Sequence, residues 1–192
     1  MKTKIAIFAS GEGTNAERIM SAFAKNGEIE VALLLASKEG IGALQKAEAA
    51  GVPSVVFPRT AFAETEPILS VLQNYKVDFI VLAGFLVHIP EWMLRVYPNR
   101  LINIHPSLLP KFGGKGMFGL RIHQAVLEAA EQESGITIHL VNELYDSGDI
   151  LFQATCSVKS DDSAEALAAR VHELEYKYYP EVVEEWIKQN RN

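Results

Sequence analysis

The chain has 192 residues, 48% hydrophobic and 22% charged, which suits one compact domain with a single core. Eighteen basic against 24 acidic residues leave a net charge of −6, and no basic face marks a nucleic-acid binder that lives on phosphate contacts. No apolar run approaches the ~18 residues of a membrane span.

The elements read in chain order as follows. MKTKIAIFAS starts basic and apolar, but the run stops at a glycine loop without a small-residue cleavage site, so it reads as a strand and not as a signal peptide. That strand covers Lys4–Ser10 and ends at GEGTN; a helix follows from Asn15 to Lys25, with Ile19 and Phe23 inward. Glu28–Ser37 reads as a second strand, Ile41–Ala50 as an alanine-rich helix, and GVPSVVF as a short third strand. Phe62–Asn74 reads as a helix with Pro67 near its start. VDFIVLAGF is apolar throughout, the pattern of a strand buried on both faces. RLINIH is the fifth strand. Strand and helix alternate over short connections, which predicts an α/β fold: a doubly wound, mostly parallel sheet, Rossmann-like in its N-terminal half.

After RLINIH the rhythm changes. LRIHQAVLEAAEQ is helical, and GITIHLVNEL and DILFQATCSV are strands joined by the turn YDSGD, which predicts an antiparallel C-terminal addition. Residues 161–189 read as one long helix, with Asp162 and Glu165 as a capping box, Leu167, Val171, Leu174 and Tyr178 as its buried stripe, and Pro180 kinking or splitting it. Cys156 alternates in phase with Phe152, Ala154 and Val158, a core thiol. As the only cysteine it has no internal disulfide partner, consistent with a reducing, cytoplasmic setting.

Ligands of such sheets bind beyond the carboxyl ends of the strands, and three features fall there. In SGEGTN, Gly13, Thr14 and Asn15 offer an amide, a hydroxyl and a side-chain amide at a helix start, suited to one terminal phosphate; the alternative is a plain capping turn. The third glycine of G-x-G-x-x-G and the Walker lysine are missing, which sets aside dinucleotides and nucleoside triphosphates. In NIHPSLLP, Asn103 and His105 face the same way at a strand end, with Pro106 and Pro110 stiffening the exit. An amide donor beside an imidazole suits a carbonyl and the proton of its attacker; a core histidine bonded to backbone is the alternative. The third feature is the turn acid Asp146, which can pair with His105 and raise its pKa; Asp149 competes for that role. A metal site from His105, His123, His139 and these acids matches no ligand spacing, and no G-x-S-x-G elbow supports a serine hydrolase.

SGEGTN, VLAGF, NIHPSLLP and the Asp-x-Gly turn after IHLV occur in an order and spacing that resemble the folate-dependent formyltransferase family over essentially the whole chain. NIHPSLLP carries the resemblance to that family, and SGEGTN narrows it to the phosphoribosylglycinamide branch of purine synthesis. The resemblance implies a single formyltransferase domain, with a phosphate-binding half (1–100) and a catalytic and folate-binding half (101–192). It implies direct formyl transfer from the co-substrate 10-formyltetrahydrofolate to the amine of 5-phosphoribosylglycinamide, with no metal, no covalent intermediate, no nucleic acid and no membrane, by a monomer or homodimer. By position, Asn103 would polarise the formyl oxygen, and His105 would stabilise the oxyanion and shuttle a proton. Asp146 would keep His105 protonated. Gly13, Thr14 and Asn15 would hold the phosphate, and Glu175 the ribose hydroxyls. Leu86, Val87, His88 and Ile89 would wall the pterin pocket, with Asn103 and the segment from Val141 to Asp146 opposite. A cis Leu109–Pro110 bond is also implied.

Some positions depart from the family. Val87 stands where many members are basic. KFGGKGMFGLRIH is long and glycine-rich, the composition of a mobile flap whose Lys111 and Lys115 could assist an anion. His172 occupies a position where a polar contact is common, and Arg59 is the nearest candidate for a folate-contacting arginine. Three rivals remain. A formyltetrahydrofolate deformylase shares the trio, but usually carries an extra N-terminal domain, whereas this chain starts straight into its first strand. A methionyl-tRNA formyltransferase is expected to have a C-terminal domain and a basic face. A non-catalytic nucleotide-sensing module would have no use for a carbonyl-handling pair.

Overall fold

The computed structural model describes residues 1–191. Five strands, β1 (Thr3–Ala9), β2 (Ile29–Ala36), β3 (Ser54–Val56), β4 (Phe79–Leu82) and β5 (Leu101–His105), are parallel. β6 (Glu133–Leu140) and β7 (Ile150–Ser157) extend the sheet antiparallel. The order is β3-β2-β1-β4-β5-β6-β7, so the winding reverses between β1 and β4 and opens a crevice at their carboxyl ends.

Alternation along the strands divides the core in two. Ile5 and Ile7 of β1, Phe79 and Val81 of β4, and Ile102 and Ile104 of β5 face α1 (Thr14–Phe23), α2 (Gly42–Ala49), α5 (Leu120–Glu128) and α6 (Ala164–Asn190). Ala6, Phe8, Ile80, Leu82 and Leu101 face α3 (Glu66–Asn74), α4 (Glu91–Val96) and a 3₁₀ turn at Arg59–Ala63. Asn103 and His105 share the parity of Leu101 and project to this second face.

Local differences from the sequence reading have physical causes. The helix read from Phe62 begins only at Glu66. Pro67 has no N–H for an earlier turn to use and must occupy the first one, so the residues before it wind separately. α4, with no counterpart in the sequence reading, is six residues after Pro90, too short to show periodicity. The last helix is capped by Ser163, whose Oγ accepts from Ala166 N at 3.2 Å, while Asp162 is drawn away to Arg170 at 2.8 Å. Its buried stripe runs through Leu167, Val171, Glu175, Tyr179 and Val183, with Leu174 and Tyr178 half-buried beside it. Pro180 does not split the helix. Proline inside a helix costs about 3 kcal/mol, but each large apolar side chain buried contributes about 1.5–3 kcal/mol, and Tyr179, Val183, Trp186 and Ile187 all lie beside or beyond it in the core. Tyr179 also donates its hydroxyl to Leu82 O at 2.8 Å, tying α6 to the end of β4. No helix among the described residues is long and apolar enough to cross a membrane.

Candidate active site

Asn103 and His105 stand two residues apart at the carboxyl end of β5, with His105 only 4% exposed. The chain after them is held by more than its prolines. Thr137 on β6, paired with His105 in the sheet, donates its hydroxyl to Ser107 O at 2.7 Å and accepts from Leu109 N and Gln153 Nε2, both at 2.9 Å. That hydroxyl has one donor and two acceptor positions, all used in a buried site, which fixes the exit path. The Leu109–Pro110 bond is cis.

The β6–β7 loop returns over the same face. Asp146 lies in the left-handed region (φ 52°), which an aspartate tolerates better than most residues. Its carboxylate reaches His105, with Oδ2 at 3.5 Å from Nδ1. His105 Nε2 lies 2.8 Å from Phe112 O, a contact in which the carbonyl accepts. Gly114 N donates to Asp146 Oδ2 at 2.9 Å. Asp149, the competing acid, is exposed, and its backbone carbonyl accepts from Leu140 N. The geometry brings Asp146, and not Asp149, to His105.

Beside this group is a half-open cleft. Phe85, Val87, Ile89 and Val141 give it apolar walls, Leu144 and Tyr145 its rim, and Asn103, His139 and Asp146 its polar floor. His88 spans the two sides, its Nε2 3.1 Å from Glu143 O and its ring edge-on to Tyr145 at 4.7 Å. The Leu86 side chain is half-exposed, and its N–H donates to Ser10 Oγ at 3.0 Å, joining the first loop to the β4 loop. A roomier cleft at the opposite sheet edge, between Phe23, Ile29 and Pro53, holds no side-chain set suited to a carbonyl.

On the other side of the sheet edge, α1 starts at Thr14 with no side-chain cap, which leaves its first N–H groups free for an anion. Gly13 has φ 72°, and a Cβ there would stand 2.5 Å from Ala43 Cα, so only glycine fits. Asn15 turns from the loop to α6: its Nδ2 donates to Glu175 Oε2 at 2.9 Å, and its buried Oδ1 has no partner. Glu175 is buried, which pushes its pKa up to about 7 against the opposing bond from Asn15. His172 approaches Glu175 at 4.0 Å. His123 on α5 is buried with an unpartnered Nδ1; burial first, then the charges of His172 and His105, pushes its pKa down to about 4.

Other positions singled out in the sequence stand apart. Lys111 pairs with Glu131 at 2.8 Å on the surface. Lys115 and Arg59 are exposed. Cys156 is half-buried against the core, and burial raises its pKa, which suits an inert thiol. No group of three His, Cys, Asp or Glu among the described residues is disposed to hold a metal ion. Sequence reasoning weighed His139 only as a metal ligand and missed its place beside Asn103. His139 lies opposite Asn103 in the sheet, with Nε2 3.2 Å from Asn103 Nδ2 and 3.8 Å from Asp146 Oδ1. The available signal was ITIH itself, whose Thr and His alternate onto one face as Asn and His do in NIH.

Comparison with known proteins agrees with this fold. The model of the Formyl transferase family matches residues 3–183. The chain is 43% identical over 192 residues to a chloroplastic phosphoribosylglycinamide formyltransferase of Arabidopsis thaliana, covering 95% of this chain but 64% of that one, under two thirds of its length. It is 37% identical over 194 residues to the phosphoribosylglycinamide formyltransferase of Haemophilus influenzae, covering 98% of this chain and 88% of that one. The crystal structure of phosphoribosylglycinamide formyltransferase from Brucella melitensis superposes with a TM-score of 0.86 at 39% identity, over 97% of this chain and 96% of the other.

Proposed function

The chain belongs to the formyl transferase family, and we propose that it transfers the formyl group of 10-formyltetrahydrofolate to the amine of 5-phosphoribosylglycinamide. The observation that carries this reading is the meeting of Asn103, His105 and Asp146 from two remote segments beside an apolar cleft, across the sheet edge from a free helix N-terminus. β1 and β5 are separated by β4 alone, so an anion on the first loop and a carbonyl at Asn103 lie on the order of 10 Å apart, two strand spacings. A phosphorylated ribose bearing a glycinamide arm has about that reach.

The residues fit both substrates. Asn15 Oδ1, buried without a partner, and the Glu175 carboxyl ask for hydroxyl donors such as those of a ribose. Gly13 and Thr14 present the free amides to the phosphate. The cleft between Val87, Ile89 and Val141 suits a flat heterocycle, with His88 at its edge. In the reaction, the amine nitrogen attacks the formyl carbon, and the bond from that carbon to the folate nitrogen breaks as the tetrahedral adduct collapses. Asn103 donates to the formyl oxygen as it gains charge. His105 stabilises the developing oxyanion and shuttles a proton from the attacking amine toward the departing nitrogen, while Asp146, 3.5 Å from Nδ1, holds the ring in place. The two halves, 1–100 and 101–192, then act as one domain in a reducing compartment such as the cytoplasm.

The test is turnover of 10-formyltetrahydrofolate, followed as tetrahydrofolate release, with and without the ribosylglycinamide phosphate. Release only with the amine supports the transferase. Release without it makes the chain a hydrolase, and no release in either case leaves a binding module.

A further inference from the structure

The contacts of His139 determine its tautomer. Nδ1 lies 2.8 Å from the carbonyl oxygen of Leu140. A carbonyl only accepts, so Nδ1 carries the hydrogen, and in a neutral ring Nε2 is then bare and can only accept. The group facing Nε2 at 3.2 Å is therefore the NH₂ of Asn103 and not its oxygen. An asparagine amide left to itself exchanges its two ends by a simple flip, since they are nearly the same shape.

We infer that His139 is a positioning residue that sets which way round the Asn103 amide stands, accepting one N–H so that the other remains to donate to a carbonyl in the cleft. The assignment of that carbonyl to the formyl group rests on the functional reading above. The orientation of the amide does not; it stands on the two contacts of the ring.

The surroundings hold the ring in this state. Beside the ring the β6–β7 register shifts: Ile138 pairs with Phe152 and His139 with Ile150, so the extra residue, Leu151, lies on β7. The Leu140 carbonyl is confined by Gly148, where an added Cβ would collide with that oxygen and touch His139 Nδ1 at 3.6 Å. Among the described residues, two titratable groups act on the ring: Asp146, its Oδ1 at 3.8 Å from the β6–β7 loop, and His105 from β5. On the β7 side its partner is the apolar Ile150. Burial outweighs the opposing pull of the Leu140 carbonyl and of Asp146 and keeps the ring below the ordinary histidine pKa, hence neutral near pH 7. A charged His139 would turn an N–H toward the Asn103 NH₂, donor against donor, and would favour Asp146 instead.

Two substitutions separate positioning from mere support. His139→Asn keeps a donor near the Nδ1 position for Leu140 O but removes the acceptor; His139→Gln places an amide oxygen near the Nε2 position. With the intact chain in the formyl-transfer assay, kcat of H139N should fall about 10²-fold, the cost of losing one aligned carbonyl donor, with KM for either substrate changed by less than about threefold. H139Q should recover about tenfold or more of that loss. Equal losses in both variants, an effect on KM alone, or no loss in H139N would overturn the inference. Long-range proton–nitrogen NMR of His139 in the resting protein reads the tautomer without any substrate. An Nδ1–H ring with bare Nε2 supports the inference; an Nε2–H ring, or a cation at about pH 7.5, overturns it even in a fully active enzyme. Failure of the wild-type chain to transfer a formyl group would instead remove the functional reading, and the NMR result would still decide the orientation.

Discussion

Glu175→Gln should change the pH dependence of stability in a direction opposite to the usual carboxylate. Burial raises the Glu175 pKa from an ordinary 4.5 to about 7. Between those values the folded chain holds a proton that the unfolded chain has released, so raising the pH through this window costs stability. At about 1.36 kcal/mol per pH unit the full cost is about 3 kcal/mol, reached above pH 7. His123, whose pKa falls from 6.5 to about 4, acts in the opposite sense. Its unfolded form takes up a proton first as the pH drops below 6.5, so its contribution is present above that value and is lost toward pH 4. The two slopes oppose each other from pH 4.5 to 6.5, and the wild-type stability curve should be flattened there. Glutamine keeps an oxygen for Asn15 Nδ2 and removes the ionisation. In urea denaturation at a series of pH values, E175Q should match the wild type near pH 4 and exceed it by about 3 kcal/mol at pH 8. Its own stability should now fall as the pH drops below 6.5, because His123 is no longer offset. A difference between variant and wild type that stays constant from pH 4 to 8 would refute the reasoning, since it would mean that Glu175 ionises like a solvated carboxylate.

Three further outcomes are expected. His105→Ala should lower kcat by about two decades or more, the usual contribution of a general acid–base group; a near-normal rate in the tetrahydrofolate-release assay would remove His105 from the mechanism. Asp146→Asn should lower kcat strongly and Asp149→Asn little, because only Asp146 reaches the imidazole; the reverse order in steady-state kinetics would exchange their roles. Gly13→Ala forces a positive φ on alanine and a clash with Ala43. It should cost about 1–3 kcal/mol in a denaturation curve and raise KM for the glycinamide phosphate more than it lowers kcat.

The parallel half of the fold was legible because its strands are unbroken apolar runs and its turns are glycine loops. KIAIFAS and FIVL announce themselves by composition alone, and Asn103 and His105 follow from alternation within five residues. What depends on pairing between remote segments was not legible. Asp146 and Asp149 differ by three positions in one turn, and only the left-handed backbone at Asp146 turns its carboxylate to His105. His139 owes its role to the register between β5 and β6, which leaves no local signature. Asn15 carried the composition of a phosphate loop, yet its side chain crosses to α6, 160 residues away in sequence.

The segment from Lys111 to Gly119 has the composition of a flap, and its first residues also hold the site together. Its glycines read as a flap free to swing over substrate, but its backbone is the joint of the site. Phe112 supplies the carbonyl that meets His105 Nε2, Gly114 supplies the amide that meets Asp146, and Ser107 Oγ donates to Lys111 O at 2.7 Å. Lifting residues 112–114 would therefore break the contacts that align the imidazole with its carboxylate. Each such bond contributes only about 0.5–1.5 kcal/mol, but a reacting group displaced by about 1 Å loses about 10²-fold in rate. A flap motion that keeps the imidazole aligned with its carboxylate therefore hinges beyond Gly114.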